Sequence, residues 1–192
     1  RGGAMKYVSV GEMIEIERAA DASGYTYQDM MEAAGKGLAE IIRKEFSGLA
    51  AKKVTALVGS GNNGGDALVT LDHLLGWGWQ AAALLYSQRA DQDQLVKRFL
   101  RSGGRLTDLT DLGGSHAGLK EELLGADLLM DGILGTGIKL PLRDPLKSLL
   151  EHTREILTGA ETRPRIIAVD CPTGMDCDSG EVDPACIPAD IT

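Results

Sequence analysis

Val54-Thr-Ala-Leu-Val-Gly-Ser-Gly-Asn-Asn-Gly-Gly-Asp66 is a short apolar run that breaks into glycines and asparagines just before a segment of helical periodicity. That order reads as buried strand, ligand loop and helix. Glycine accepts positive φ and lets the backbone approach a ligand closely, and a helix opening just after the loop aims free N–H groups at an anion. Gly59, Gly61 and Gly64 satisfy the G-x-G-x-x-G spacing of dinucleotide-binding turns, which calls for an acidic ribose ligand about 20 residues on. The corresponding stretch, Leu84-Leu-Tyr-Ser-Gln-Arg89, holds no carboxylate. Ordinary hydride transfer is therefore disfavoured, while Arg89 becomes a candidate phosphate partner. A triphosphate-binding loop is disfavoured too, because Gly65 and Asp66 stand where a lysine and a hydroxyl residue are needed. The plainer alternative is a turn in which Asp66 caps the following helix.

Outward from this stretch the apolar spacing continues to alternate. Met13, Ile16 and Ala20, then Met30, Ala34, Leu38, Ile41 and Ile42, predict the core faces of two amphipathic helices separated by Gly24-Tyr25-Thr26. Leu68, Leu71, Leu74 and Leu75 predict a helix, and Trp79 to Tyr86 a strand. A helix over 91–102, a strand near Arg105-Leu-Thr107 and a helix over Leu119 to Leu124 follow. Ala126 to Asp131 and Arg165 to Asp170 are compact apolar runs that each end in aspartate, with a helix predicted over Leu142 to Leu157 between them. Alternating strands and helices imply an α/β fold: a three-layer sandwich whose mostly parallel central sheet is flanked by helices.

Composition narrows the function classes. A chain of 192 residues suits one domain, expected over 5–192, with Arg1-Gly-Gly-Ala4 a cloning remnant that lacks the apolar segment of a targeting signal. No apolar run approaches the roughly 18 residues of a membrane span. The net charge of -8 speaks against a nucleic-acid surface, which needs clustered cations. Cys171, Cys177 and Cys186 form no C-x-x-C pair, and His73, His116 and His152 are scattered. Free thiols in a reducing, cytoplasmic compartment are expected, with no zinc centre.

Parallel α/β sheets bind ligands at the carboxyl ends of their strands, so three strand ends belong together. They are Gly59 to Asp66, Asp131-Gly-Ile-Leu-Gly-Thr-Gly-Ile-Lys-Leu140, and Asp170-Cys-Pro-Thr-Gly-Met-Asp176. The Gly135-Thr136-Gly137 turn offers backbone N–H groups to a second anion. Oxygen donors from Asn63, Asp131 and Thr173 suit a hard, weakly hydrated cation better than zinc or copper.

Met31-Glu-Ala-Ala-Gly35, Gly61-Asn-Asn-Gly-Gly-Asp66, Asp131-Gly-Ile-Leu-Gly-Thr-Gly137 and Asp170-Cys-Pro-Thr-Gly174, in this order, resemble the YjeF N-terminal domain family of NAD(P)H-hydrate epimerases. The resemblance covers nearly the whole chain after Met5. It implies a Rossmann-like domain, a homodimer, that interconverts the epimers of hydrated NADH and NADPH (NADHX and NADPHX) ahead of a repairing dehydratase. It assigns substrate binding to Asn62, Asn63, Gly64, Gly65 and Asp66 and to Gly135, Thr136, Gly137, Ile138, Lys139, Leu140 and Pro141. It further places Asp170 at the reacting ring, as the catalytic residue, and potassium at Asn63, Asp131 and Thr173. Two positions depart from the family pattern: Ala67 replaces a glycine and Thr173 a serine, and Thr173 keeps the hydroxyl oxygen. The family also continues past Thr192 into a further strand and a lysine-containing segment, and in some members into a dehydratase domain.

Two other readings compete. A ribokinase-type kinase would carry an aspartate after its glycine-rich turn, where Gly135-Thr-Gly-Ile138 has isoleucine. A non-catalytic nucleotide- or protein-binding module of the same fold is the other, and the retained set Asn62, Asn63, Asp66, Asp131 and Asp170 speaks against it, since a scaffold needs no such chemistry.

Overall fold

The computed structural model describes residues 7–49, 52–90, 92–109 and 118–192. The 1–4 remnant, Met5, His116 and the start of the 91–102 helix lie outside the described residues. Among the described residues the elements follow in the order α1 (Val10–Ala22), α2 (Tyr27–Glu45), β1 (Lys53–Val58), α3 (Asn62–Gly76), β2 (Gln80–Leu85), α4 (Gln94–Arg101), β3 (Arg105–Asp108), α5 (Leu119–Leu124), β4 (Leu128–Gly132), α6 (Leu146–Thr158) and β5 (Arg165–Ala168).

The five strands are all parallel, in the order β3-β2-β1-β4-β5. From β1 the chain first winds outward through β2 and β3, then returns to β4 on the other side. The crevice where the winding reverses therefore opens beyond the carboxyl ends of β1 and β4, the place where open α/β sheets take ligands. Alternation along the strands feeds two cores. Val54, Ala56 and Val58 of β1 pack with Ala39 and Ile42 of α2, Leu68 and Leu71 of α3 and Phe99 of α4. Leu57 turns the other way, to Leu119 and Leu123 of α5 and Leu149 and Leu150 of α6. Each fully buried leucine contributes about 1.5–3 kcal/mol of transfer free energy, so the two cores stabilise the sandwich from both faces of the sheet.

Local chemistry sets the helix ends. Ser9 and Glu12 form a reciprocal capping box at α1, and Thr26 and Asp29 form another at α2. Gly24, at φ 99°, makes the turn between them. α2 crosses α3 closely at Gly35: a Cβ there would lie 2.6 Å from the Val69 side chain, and Thr70 Oγ1 donates to the Gly35 carbonyl at 3.1 Å. This crossing holds the amino end of α3 in place.

Three expectations shift. α6 begins at Leu146 and not at Leu142, because the Leu142 N–H is taken by Asp183 Oδ2 at 2.8 Å and Pro145 occupies the cap position. α4 begins at Gln94, behind the cap Asp93, whose carboxylate accepts from the Leu95 and Val96 N–H groups. α1 buries no residue: Met13 and Ile16, read as core, are 41% and 53% exposed. Among the described residues no helix is long and apolar enough to cross a membrane.

Candidate active site

The carboxyl end of β1 is pulled against β4. The Gly59 N–H donates to the Gly132 carbonyl at 3.1 Å, which extends the β1–β4 pairing by one residue. α3 then starts at once, and a side chain at Gly64 would sit 2.0 Å from the Gly59 carbonyl, so only glycine lets the helix begin this near the strand. Gly61 is the N-cap and no side chain caps the helix, which leaves the first-turn N–H groups to the loop's exterior or to a ligand. Asp66 lies inside α3, one turn in, and is not its cap.

Asp131 closes β4 with 1% exposure. Its Oδ2 accepts from the Thr173 N–H at 2.7 Å and its Oδ1 from the Thr173 hydroxyl at 2.6 Å, while the Leu134 N–H donates to that same hydroxyl at 3.0 Å. The loops after β4 and β5 are thus locked together through one carboxylate. Burial pushes the Asp131 carboxyl above the usual range, with the Thr173 bonds opposing. Beside it, Asn63 is 8% exposed, and its Oδ1 and Nδ2 have no hydrogen-bond partner among the described residues. An amide, a carboxylate and a hydroxyl here make a donor set of oxygens, and both the orphaned amide and the buried charge are what a hard cation would relieve.

Asp170 follows β5 in the left-handed region at φ 66°, a conformation that costs a non-glycine residue on the order of 1–2 kcal/mol. Its Oδ2 accepts from the Thr136 N–H at 3.0 Å, and a Cβ on Gly135 would lie 2.5 Å from that oxygen. The carboxylate thus meets the Gly135-Thr136-Gly137 turn, where Gly135 lies close to both Asp170 and the Asn63 amide.

These loops wall a cavity of about 860 Å³. Gly61, Asn62, Asn63, Asp66, Gly135, Thr136, Gly137 and Asp170 face it. Gly64 and Gly65 lie buried behind that wall, and Ile138, Lys139, Leu140 and Pro141 continue the loop outside it, with Ile138 and Leu140 packed on the second core. The opposite wall comes from α1 and α2, including Met13, Ile14, Glu17, Leu38 and Ile41. Met13 and Ile41, expected on core faces, line this cavity instead, since an apolar stripe that lines a cavity has the same spacing as one that packs on a sheet; Leu38 lines it and also packs on the first core. Glu17 carried no signal at all.

Among the described residues, the titratable side chains facing the cavity are acidic: Glu17, Asp66 and Asp170, with no lysine or arginine beside them. Burial, then the charges of Asp170 and Glu17, pushes Asp66 up to about 7. Arg89, read as a phosphate partner, turns away: it bonds Asp93 and the carbonyls of Gly59 and Gly61. The three cysteines are free thiols, with Cys171 and Cys186 buried and Cys186 pushed up to about 11 by burial.

The family model described as YjeF-related protein N-terminus matches residues 27–192. An NAD(P)H-hydrate epimerase of Cenarchaeum symbiosum is 32% identical over 96% of this chain and 82% of that protein. A bifunctional NAD(P)H-hydrate repair enzyme Nnr of Methanopyrus kandleri is 30% identical over 96% of this chain, which spans 36% of that longer protein. The crystal structure of yeast YNL200c superposes with a TM-score of 0.82 at 27% identity, over 96% of this chain and 78% of that one. The match over residues 27–192, together with that relative, identifies this chain as a member of the YjeF-related N-terminal family.

Proposed function

We propose that this chain is an isomerase that interconverts the R and S forms of hydrated NADH and NADPH. The observation that carries the reading is the strained Asp170 at the mouth of the loop turn, facing a cavity whose other groups include the carboxyls of Asp66 and Glu17, an orphaned amide and exposed backbone. The names of the relatives support the same reaction.

In such a substrate the ring nitrogen lies next to the hydroxyl-bearing carbon. Its lone pair expels hydroxide, and the ring becomes planar and cationic. Asp170 delivers a proton to the departing oxygen, so water leaves. Its carboxylate then steadies the ring cation and takes the proton back when water adds from the other face. No electrons are exchanged with a cofactor and the substrate regains its formula. An acidic wall suits this course, because the charge that develops on the ring is positive. Asp66, near neutrality in its titration, shares the cavity and keeps a proton close to Asp170.

Asn62, Asn63, Gly64, Gly65 and Asp66, with Gly135 to Pro141, are assigned to the rest of the substrate, whose phosphates meet backbone N–H groups at the α3 start and in the Gly135-Thr136-Gly137 turn. Asn63, Asp131 and Thr173 are the residues that would hold potassium. Bound there, the ion would supply the positive charge that Asp131 lacks and tie the three strand-end loops together. The chain is read as working in the cytoplasm as a homodimer, with a dehydratase consuming one epimer; the name of the Methanopyrus kandleri relative, a bifunctional NAD(P)H-hydrate repair enzyme, supports a second repair activity alongside this one.

The test is to give the purified protein, in potassium, the single NADPHX epimer that a dehydratase does not use, and to follow the other by chromatography against a blank. A rate above the spontaneous one is expected. A rate equal to the blank overturns the reading in favour of a binding module.

A further inference from the structure

Arg89 and Asp93 form an ion pair beside the site without lining its cavity. Their side chains are 8% and 13% exposed. Asp93 Oδ1 caps α4, while Oδ2 accepts from Arg89 Nε at 2.7 Å. That anchor aims Nη1 at the Gly59 carbonyl, 2.6 Å away, and at the Gly61 carbonyl, 3.3 Å away. In a trans peptide unit C=O and N–H point in opposite directions. Holding the carbonyls of Gly59 and Gly61 therefore turns the N–H groups of Ser60 and Asn62 away from Arg89, toward the cavity that Gly61, Asn62 and Asn63 line.

We infer that Arg89 is a positioning residue, which sets the Gly59–Asn62 loop so that its backbone N–H groups receive the anionic part of a dinucleotide, and which never touches that ligand itself. Three observations converge on this. Among the described residues no lysine or arginine lines the cavity, so recognition of an anion there falls on backbone donors, and then on whatever fixes the backbone. The α3 start has no side-chain cap. Asn63, nine-tenths buried in that first turn, has its amide unpartnered, as a group awaiting a ligand would. Arginine is required because its planar fork reaches the carboxylate and both carbonyls at once. The single ammonium of lysine, on a flexible stem, does not.

The inference rests on the dinucleotide-substrate reading, and the test separates the two. Arg89→Met and Arg89→Lys are compared with wild type for NADP+ binding by calorimetry, for KM and kcat in the epimer assay, and for thermal midpoint. Arg89→Met is expected to weaken NADP+ binding about tenfold and to raise KM by a similar factor, the scale of one charge-assisted hydrogen bond, with kcat within about twofold. Arg89→Lys should fall between. If Arg89→Met does not fold, Asp93→Asn replaces it, because asparagine still caps α4 while the anchor loses its charge, and a KM rise smaller than that of Arg89→Lys is expected. A lowered thermal midpoint with unchanged NADP+ affinity and KM in these variants would overturn the inference, as would a fall in kcat at constant KM. Wild type that binds NADP+ but does not epimerise would sink the epimerase reading alone, and the binding arm would still decide the role of Arg89. Wild type that does neither would overturn both.

Discussion

Arg98 and Asp131 are both charged groups drawn into the packing around one sheet, and their surroundings are opposite. Arg98 bridges three helices: Nη1 meets Glu32 and Nε meets Asp72, each at 2.6 Å, while Ser102 donates to Asp72 and His73 shares Glu32. Each charge in that cluster has a partner, and the cluster is partly exposed. Asp131 is buried, accepts from the neutral groups of Thr173 and Ile133, and sits beside an amide that has no partner among the described residues. Compensated charge at the α2–α3–α4 seam serves stability. Uncompensated charge at the strand ends costs stability, and a fold keeps that cost where a ligand will offset it.

Four changes would break or sharpen this contrast. Asp170→Asn should lower epimerisation roughly 100-fold or more, within the usual reach of acid–base groups. Asparagine tolerates the left-handed backbone, so the variant removes the charge and spares the turn. Turnover near wild type would end the assignment. Potassium at saturation should raise stability by about 2–3 kcal/mol over a bulky organic cation at equal ionic strength, and Asp131→Asn should abolish the difference. Thermal unfolding in the two chlorides measures it, and an equal response in both salts would refute the ion.

A third change concerns the sign of a pH effect. Asp66 is raised from its ordinary 3.8 to about 7. The unfolded chain therefore ionises first as pH climbs through this window, while the folded chain keeps its proton, and folding loses stability from about pH 4 to 7. Asp66→Asn should flatten that decline in denaturant titrations at several pH values. An unaltered slope would count against the coupling with Asp170. Glu32→Gln should do least. The Arg98 hydrogen bond holds the Glu32 carboxyl below its ordinary value, so its contribution is present above about pH 4.5 and fades as pH falls through the lowered value. With Glu32 41% exposed, the expected loss at neutral pH is under about 1 kcal/mol and shrinks in high salt. A loss of several kcal/mol would mean that the seam, too, stores function.

Much of this was legible in the chain. The β1 stretch, α5 and β3 lie within a residue or two of where their apolar runs place them, because hydrophobic period and turn residues are local signals. The three strand ends were legible as one site because a parallel sheet forces its carboxyl ends to one edge. What misled was ambiguity of face: the Met13 and Ile41 stripes have core spacing, yet Ile41 is 55% exposed and both line the cavity. Arg89 misled for a related reason, since a cation near a glycine loop in sequence is equally suited to a phosphate and to a carbonyl.

By itself the sequence determined the alternation of strands and helices, the glycines that allow strand and helix to meet, and the list of oxygen donors at the strand ends. These follow from period, sterics and chemistry within a dozen residues. The tertiary structure alone decided which donors are satisfied and which are left open. Asp131 finds Thr173 across 42 residues, the Asn63 amide finds no partner among the described residues, and Arg89 reaches back 30 residues to Gly59. Satisfaction of a buried polar group depends on every neighbour that packing brings within about 3 Å, and no local pattern encodes those neighbours.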